Sequence, residues 1–210
     1  MGDKIGENMI WFIVMIACQS EIDNKPSANV QETKQEVSTK GMPSKDAPST
    51  KPSAKIPGAL SLDASSKVEW VGAKVTGDHT GGFKVVQGSA VVKDGVLSQI
   101  TAEIDINSIF SDNAKLTKHL LNKDFFEVAS FPKAIFTSSK IEEGNIQGTL
   151  DMKSIKKDIS FPAKISVTPQ TVDIQAEFTI NRRLWNINYD GRANNLIKDN
   201  VLIKLDVHYK

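Results

Sequence analysis

From Leu60 onward, hydrophobic and polar positions alternate with period two. In VLIKLDVHY, Val201, Ile203, Leu205, Val207 and Tyr209 share one face, and Leu202, Lys204, Asp206 and His208 share the other. VDIQAEFTIN sets Val172, Ile174, Ala176, Phe178 and Ile180 against Asp173, Gln175, Glu177 and Thr179. ISFPAKISV groups Ile159, Phe161, Ala163, Ile165 and Val167, while ITAEIDI groups Ile100, Ala102, Ile104 and Ile106. One dry and one wet face per segment predicts antiparallel sheet. Turn signals at Lys93-Asp94-Gly95, Glu143-Gly144-Asn145 and Thr168-Pro169-Gln170 separate the segments. About eight strands follow, near 67–75, 84–92, 96–106, 133–142, 145–152, 158–168, 171–181 and 200–209. Pro162 falls on the polar face of its segment, which predicts an edge position or a bulge there.

One helix interrupts this all-β pattern. Ser111 or Asp112 can cap its start, Leu116 and Leu120 lie one turn apart, and Asn122 suits a left-handed stop. It leads into HLLNKDFFEVASFPKAIF, residues 119–136, which crowds four phenylalanines around a helix exit. Phe125 and Phe126 are expected to diverge, one plugging the end of the fold and the other lying on the helix. A sheet of about eight strands can close around side chains or around one small ligand, and a sandwich would leave no room. Periodicity leaves both open.

The same stretch resembles the central motif of the YceI-like family, through His119-Leu120, Asp124-Phe125-Phe126, Val128, Phe131-Pro132 and Phe136. Leu62-Asp63 with Ser66-Lys67-Val68-Glu69-Trp70 resembles the family's first strand. Gly148 to Lys157 resembles its middle hairpin, followed by Ile180-Asn181-Arg182 with Trp185. The resemblance covers about 62–209. It implies a lipocalin-like antiparallel barrel with a hydrophobic channel, export to the bacterial cell envelope, and binding of a long isoprenoid or other lipid chain. The barrel interior would then be the lipid site, lined by Trp70, Phe83, Ile104, Phe125, Phe126, Phe136, Leu150, Phe161, Ile165, Ile174, Phe178, Trp185 and Leu205. His79, His119, Asp124 and Arg182 would be polar groups at its mouth. The small residues Ala102, Ala163, Ala176 and Gly148 on the inner faces suit a cavity. Leu116 and Thr117 stand where the family commonly has an Arg-Asp pair, so a headgroup contact from such a pair lacks its residues. Trp185 stands where Phe is commoner.

Composition changes the picture mainly at the N-terminus. The apolar run from Met9 to Ala17 is too short to span a bilayer but suits the core of a signal peptide. Ile16-Ala17-Cys18 after it resembles a bacterial lipobox, which would make Cys18 the acylated first residue of the mature protein. Asp3 and Glu7 offset Lys4, an unusual charge balance for such a leader. Residues 19–57 are rich in Ser, Lys, Pro, Thr and Glu with no aromatic residue, and are expected to stay disordered. The expected organisation is therefore a signal peptide over 1–17, a disordered tether over 18–59 and a barrel domain over 60–210. A net charge of +1 gives no field that would draw nucleic acid, and Cys18 as the only cysteine excludes an internal disulfide.

Catalytic chemistry has little to work with. His79, His119 and His208 lack metal-ligand spacing, and the chain has neither a G-x-S-x-G elbow nor a phosphate-cradling loop. Asp124 suits backbone N–H groups of its own turn, and His79 in DHTGGF suits a turn with Gly81 and Gly82 supplying freedom. Trp70, Phe83, Phe136, Phe161 and Phe178 serve equally well in a filled core. The expectation is a lipid carrier without cofactor or metal, with a lipid ligand and a lipid-anchored membrane attachment as partners. The alternatives are an enzyme acting on a lipid inside the barrel and a filled-core interaction module.

Overall fold

The computed structural model describes residues 20–32, 58–193 and 195–210. Cys18, the apolar run before it and residues 33–57 lie outside the described residues. In chain order the strands are β1 (Asn29–Glu32), β2 (Leu60–Ser61), β3 (Lys67–Lys74), β4 (Gly77–Phe83), β5 (Val86–Lys93), β6 (Val96–Asp105) and β7 (Ile109–Ser111). The helix α1 (Ala114–Leu120) follows, and then β8 (Lys133–Glu142), β9 (Asn145–Met152), β10 (Ile155–Pro162), β11 (Lys164–Val167), β12 (Val172–Asn181), β13 (Gly191–Arg192) and β14 (Asn195–Tyr209). One antiparallel sheet runs β1-β10-β9-β8-β6-β5-β2. The other runs β11-β12-β14-β3-β4-β7, with β13 beside β14.

The sheets face each other without closing into a barrel, which corrects the expected closed sheet of about eight strands. Several additional strands are short or polar. In Gly77-Asp-His-Thr-Gly-Gly-Phe83 the alternation is carried by glycines, so β4 has no apolar signature. The segment 158–168 divides between the two sheets. Pro162 ends β10 because it cannot donate to a ladder; Ala163 gives its N–H to the Gly144 carbonyl at 3.1 Å, and Lys164 opens β11 in the other sheet. A second crossing follows β6, where a 3-10 turn over Ile106–Ser108 is capped by the Asp105 carboxylate, which accepts from the Asn107 N–H.

The turns follow their residues. Asp94 and Gly95 take positive φ between β5 and β6, and so does Gly144 between β8 and β9. Lys153 and Ser154 also do so between β9 and β10, a hairpin that no glycine announces. The helix is capped by Asn113, one or two residues later than expected: its side-chain oxygen accepts from the N–H groups of Lys115 and Leu116 at 2.9 and 3.1 Å. It ends on Leu121 in right-handed geometry, and the left-handed residue of the following loop is Glu127, not Asn122.

Residues 20–32, assigned above to the tether, are part of the fold. Glu21–Asn24 form a 3-10 turn on the outer face of the second sheet, where Ile22 packs on Val71, Ala73 and Leu202. Leu202 is fully buried although the alternation places it on the wet face. Ion pairs Glu21–Lys204, Asp23–Lys198 and Lys25–Glu177 fix the turn's register. The chain then runs beside β12, with the Ala28 N–H on the Thr179 carbonyl and the Thr179 N–H on the Pro26 carbonyl. β1 next joins the first sheet by pairing with β10. This strap covers the seam between the two sheets, and Ala28 and Val30 contribute to the core there.

Candidate functional site

The inner faces of the two sheets enclose a cavity of ≈ 530 Å³, within the range of small-ligand sites. Its walls are mostly aliphatic and aromatic. Ile104, Phe136, Leu150, Ile203 and Leu205 point inward yet are only half-buried, because they face empty space rather than other side chains. On β14 the lining runs from Ile197 through Val201, Ile203, Leu205 and Val207 to Tyr209. The interior deepens towards Tyr209, which is 2% exposed and whose phenol pKa burial alone pushes up. It opens at the other end, where the bordering side chains of His79 and His119 are 25% and 32% exposed.

Most of the residues expected in the interior border this cavity: Trp70, Phe83, Ile104, Phe125, Phe126, Phe136, Leu150, Phe161, Ile174, Phe178 and Leu205. Two do not. Ile165 lies on the inner face of the edge strand β11, paired with Ile174 but away from the void. Trp185 is fully buried behind the wall, where its Nε1 donates to the Leu150 carbonyl at 3.3 Å. Phe125 and Phe126 differ less than expected. Both border the cavity; Phe125 is buried against the rings of His119 and Tyr189, and Phe126 is half-buried.

Two glycines shape the walls. The Trp70 indole lies over Gly81 on the neighbouring strand, where a Cβ would collide with both the indole and the Phe110 carbonyl. Phe136 covers Gly148 in the same way, across from Leu150. Gly148 therefore seats a ring rather than leaving space. Of the small residues, Ala102 borders the cavity, whereas Ala163 and Ala176 are packed away from it. Phe161 stacks on Phe178 at 4.2 Å and Phe136 tilts against Phe161 at 5.8 Å, forming an aromatic wall. Among the described residues the Trp70 Nε1 has no hydrogen-bond partner, which makes it a strongly desolvated donor in an apolar wall.

The polar groups gather at the open end. His79 sits within β4 rather than in a turn, and its Nδ1 is 2.9 Å from Asp112 Oδ1. Gly81 and Gly82 are likewise within the strand. His119 Nε2 is 3.2 Å from Asp124 Oδ2, and its ring meets Tyr189 edge-on at 4.7 Å. Asp124 therefore partners His119 through its side chain and does not itself border the cavity. Arg182 borders the cavity but is committed to the fold: its guanidinium donates to the carbonyls of Ile187, Ile197 and Lys198 and pairs with Asp199. Burial, then the neighbouring Arg183, lowers its pKa from the usual value. Arg183 pairs with Asp199 and Asp190.

The sequence pattern did not single out Lys74, Tyr189 or Lys153. Lys74 and Tyr189 border the opening. Lys153 ties the β9–β10 hairpin to the phenylalanine loop through the Phe125 carbonyl at 2.7 Å and to the Asn186 carbonyl at 3.2 Å. Among the described residues no group of three or more His, Cys, Asp or Glu side chains could hold a metal ion, and no helix is long and apolar enough to cross a membrane.

Comparison with known proteins places this architecture. The model of the YceI-like domain matches residues 27–209. That match begins inside the strap. Protein YceI of Salmonella arizonae is 31% identical over 77 residues, 35% of this chain and 40% of the relative, and the Salmonella newport protein matches to the same extent. The aligned part thus spans 40% of the length of these curated relatives. BcnA of Burkholderia cenocepacia has a similar fold, with a TM-score of 0.63 at 21% identity over 71% of this chain and 99% of that one. A polyisoprenoid binding domain from Saccharophagus degradans, implicated in plant cell wall breakdown, matches with a TM-score of 0.60 at 18% identity over 72% and 98%.

Proposed function

The chain belongs to the YceI-like domain family, and from that premise we propose that it is a cell-envelope protein that sequesters or carries a long isoprenoid or fatty chain between its two sheets. The observation that carries this reading is the ≈ 530 Å³ apolar cavity, deep at Tyr209 and open beside His79 and His119. A saturated or isoprenoid tail gains from leaving water and needs no polar partner along its length, which suits walls of Ile, Leu, Val and Phe. At ~0.8 kcal/mol per buried CH₂, a chain of about twenty carbons offers more than ~10 kcal/mol gross, before ordering costs. The polyisoprenoid binding domain of Saccharophagus degradans lends support through its shared fold. The apolar run ending in Ile16-Ala17-Cys18 supports export and a lipid anchor at Cys18. The chemistry is binding. The histidines at the opening are engaged with Asp112 and Asp124, which supports binding over turnover.

Organic extraction of the purified full chain followed by mass spectrometry tests this. One long-chain lipid per chain is expected in the wild type. Leu205→Trp fills the void from one wall, so it should retain much less lipid while keeping its melting temperature within a few degrees. A wild type that carries no lipid and takes up no added polyprenol would defeat the carrier reading. Turnover of the bound lipid would turn it into an enzyme.

A further inference from the structure

Two exposed aliphatic side chains stand at the open end of the cavity. Val75, at the β3–β4 turn, and Leu196, near the start of β14, are 73% and 53% exposed, and the Val75 N–H donates to the Leu196 carbonyl at 3.2 Å. Each adjoins a residue that borders the cavity: Lys74 precedes Val75, Ile197 follows Leu196, and Lys74 and Ile197 are paired across β3 and β14. The two aliphatic side chains therefore stand on the rim of the opening.

The described chain begins at the same place. The Ser20 hydroxyl donates to Asp78 on the β3–β4 hairpin at 3.1 Å, one residue from His79. The apolar run from Met9 to Ala17 ends only three positions earlier. Two residues of fully extended chain reach at most about 7 Å, so a lipid anchor at Cys18 would emerge beside the opening. The strap's ion pairs hold this arrangement: Glu21, Asp23 and Lys25 are each bound to the second sheet. Residues 33–57, lying between β1 and β2, do not separate the N-terminal attachment from the domain.

We propose that the rim formed by Val75 and Leu196 seats on the lipid bilayer surface, with the cavity opening against it. A lipid tail then slides between bilayer and cavity without crossing water. This rests on the carrier reading and adds the face through which the cargo moves. Exposed aliphatic side chains at a rim gain by entering the headgroup boundary, and the same dehydrated contact removes the water barrier to transfer.

The test compares the full-length wild type with Val75→Asp/Leu196→Asp, using a fluorescent long-chain polyprenol as probe. Val96→Asp is the control, because Val96 is 64% exposed but does not border the cavity. The double variant should take the probe from phosphatidylethanolamine–phosphatidylglycerol vesicles at least about tenfold more slowly. Its melting temperature and its affinity for the probe delivered from detergent should match the wild type, and Val96→Asp should be unchanged throughout. Equal vesicle rates for wild type and double variant would overturn the docking face. So would equal slowing in Val96→Asp, or a loss of detergent-delivered binding, which would put these residues in the ligand site itself. A wild-type dimer that the double variant breaks would assign the rim to a second copy instead. A wild type that binds no probe from detergent would be a failure of the carrier reading, separate from these outcomes.

Discussion

At the scale of single residues, the walls of the cavity are made by pairing a large ring with a missing side chain. Gly81 lets the Trp70 indole lie flat against β4, and Gly148 does the same for Phe136 on β9. Neither glycine needs a positive φ; each is there because its neighbour's ring occupies the place of a Cβ. Gly81→Ala should therefore destabilise by about 1–3 kcal/mol through overpacking, read as a lowered urea midpoint with unchanged m-value. An alanine variant as stable as the wild type would show that the indole can move aside. In sequence these glycines read as turn or spacing residues. What makes them structural is the cross-strand register Trp70–Gly81 and the close approach of Phe136 to Gly148, which no local pattern contains.

At the scale of elements, the strap is the part that sequence reading placed wrongly, for a physical reason. A segment is expected to be disordered when it has too little apolar surface to offset its ordering entropy. Here one residue, Ile22, supplies much of that surface, and its socket of Val71, Ala73 and Leu202 sits on a face that alternation marks as wet. The rest comes from Ala28 and Val30 in the core and from ion pairs and backbone hydrogen bonds to β12 and β10, which composition does not reveal. Ile22→Ala should cost about 2–3 kcal/mol, measured by chemical denaturation of the full chain. A loss below a few tenths would mean that the strap contributes nothing to folding. The long strands were legible because one face of each is uniformly apolar, and most of the expected lining residues lie on those faces. The short strands β2, β7 and β13 were not, because two or three residues cannot establish a period. The sheet crossing at Pro162 was half legible: proline announced a break in the ladder but not the change of sheet.

At the scale of the whole molecule, the sheets are held at their corners. The far corner is closed by the chain's end: Ser61 and Lys210 exchange both backbone hydrogen bonds at 2.9 Å, and Leu62 bridges to Tyr209. The Asp63 carboxylate sits on this joint. Lys210 first, and then the Ser65 hydroxyl and N–H, hold it well below the usual carboxylate range. A carboxylate whose pKa is lowered by folding contributes stability above its unfolded value of about 3.9, and that contribution is lost as pH falls towards the folded value. Asp63→Asn should thus melt a few degrees at most below the wild type at pH 7, and the gap should shrink steadily below about pH 4. A gap that widens on acidification would contradict the sign and implicate another group.

The placement of β14 bears on how the chain can fold. β14 lies in the middle of the second sheet, between β12 and β3, and its Leu202 is part of the socket for Ile22, about 180 residues earlier in the sequence. Without β14, β3 and β12 have no common neighbour, the socket of Ile22 lacks Leu202, and the corner at Ser61 stays open. Such long-range closure is slow and comes late. The β5-β6-β8-β9-β10 ladder can form from residues 86–162 alone, whereas the second sheet is complete only when its two ends of the sequence meet on β14.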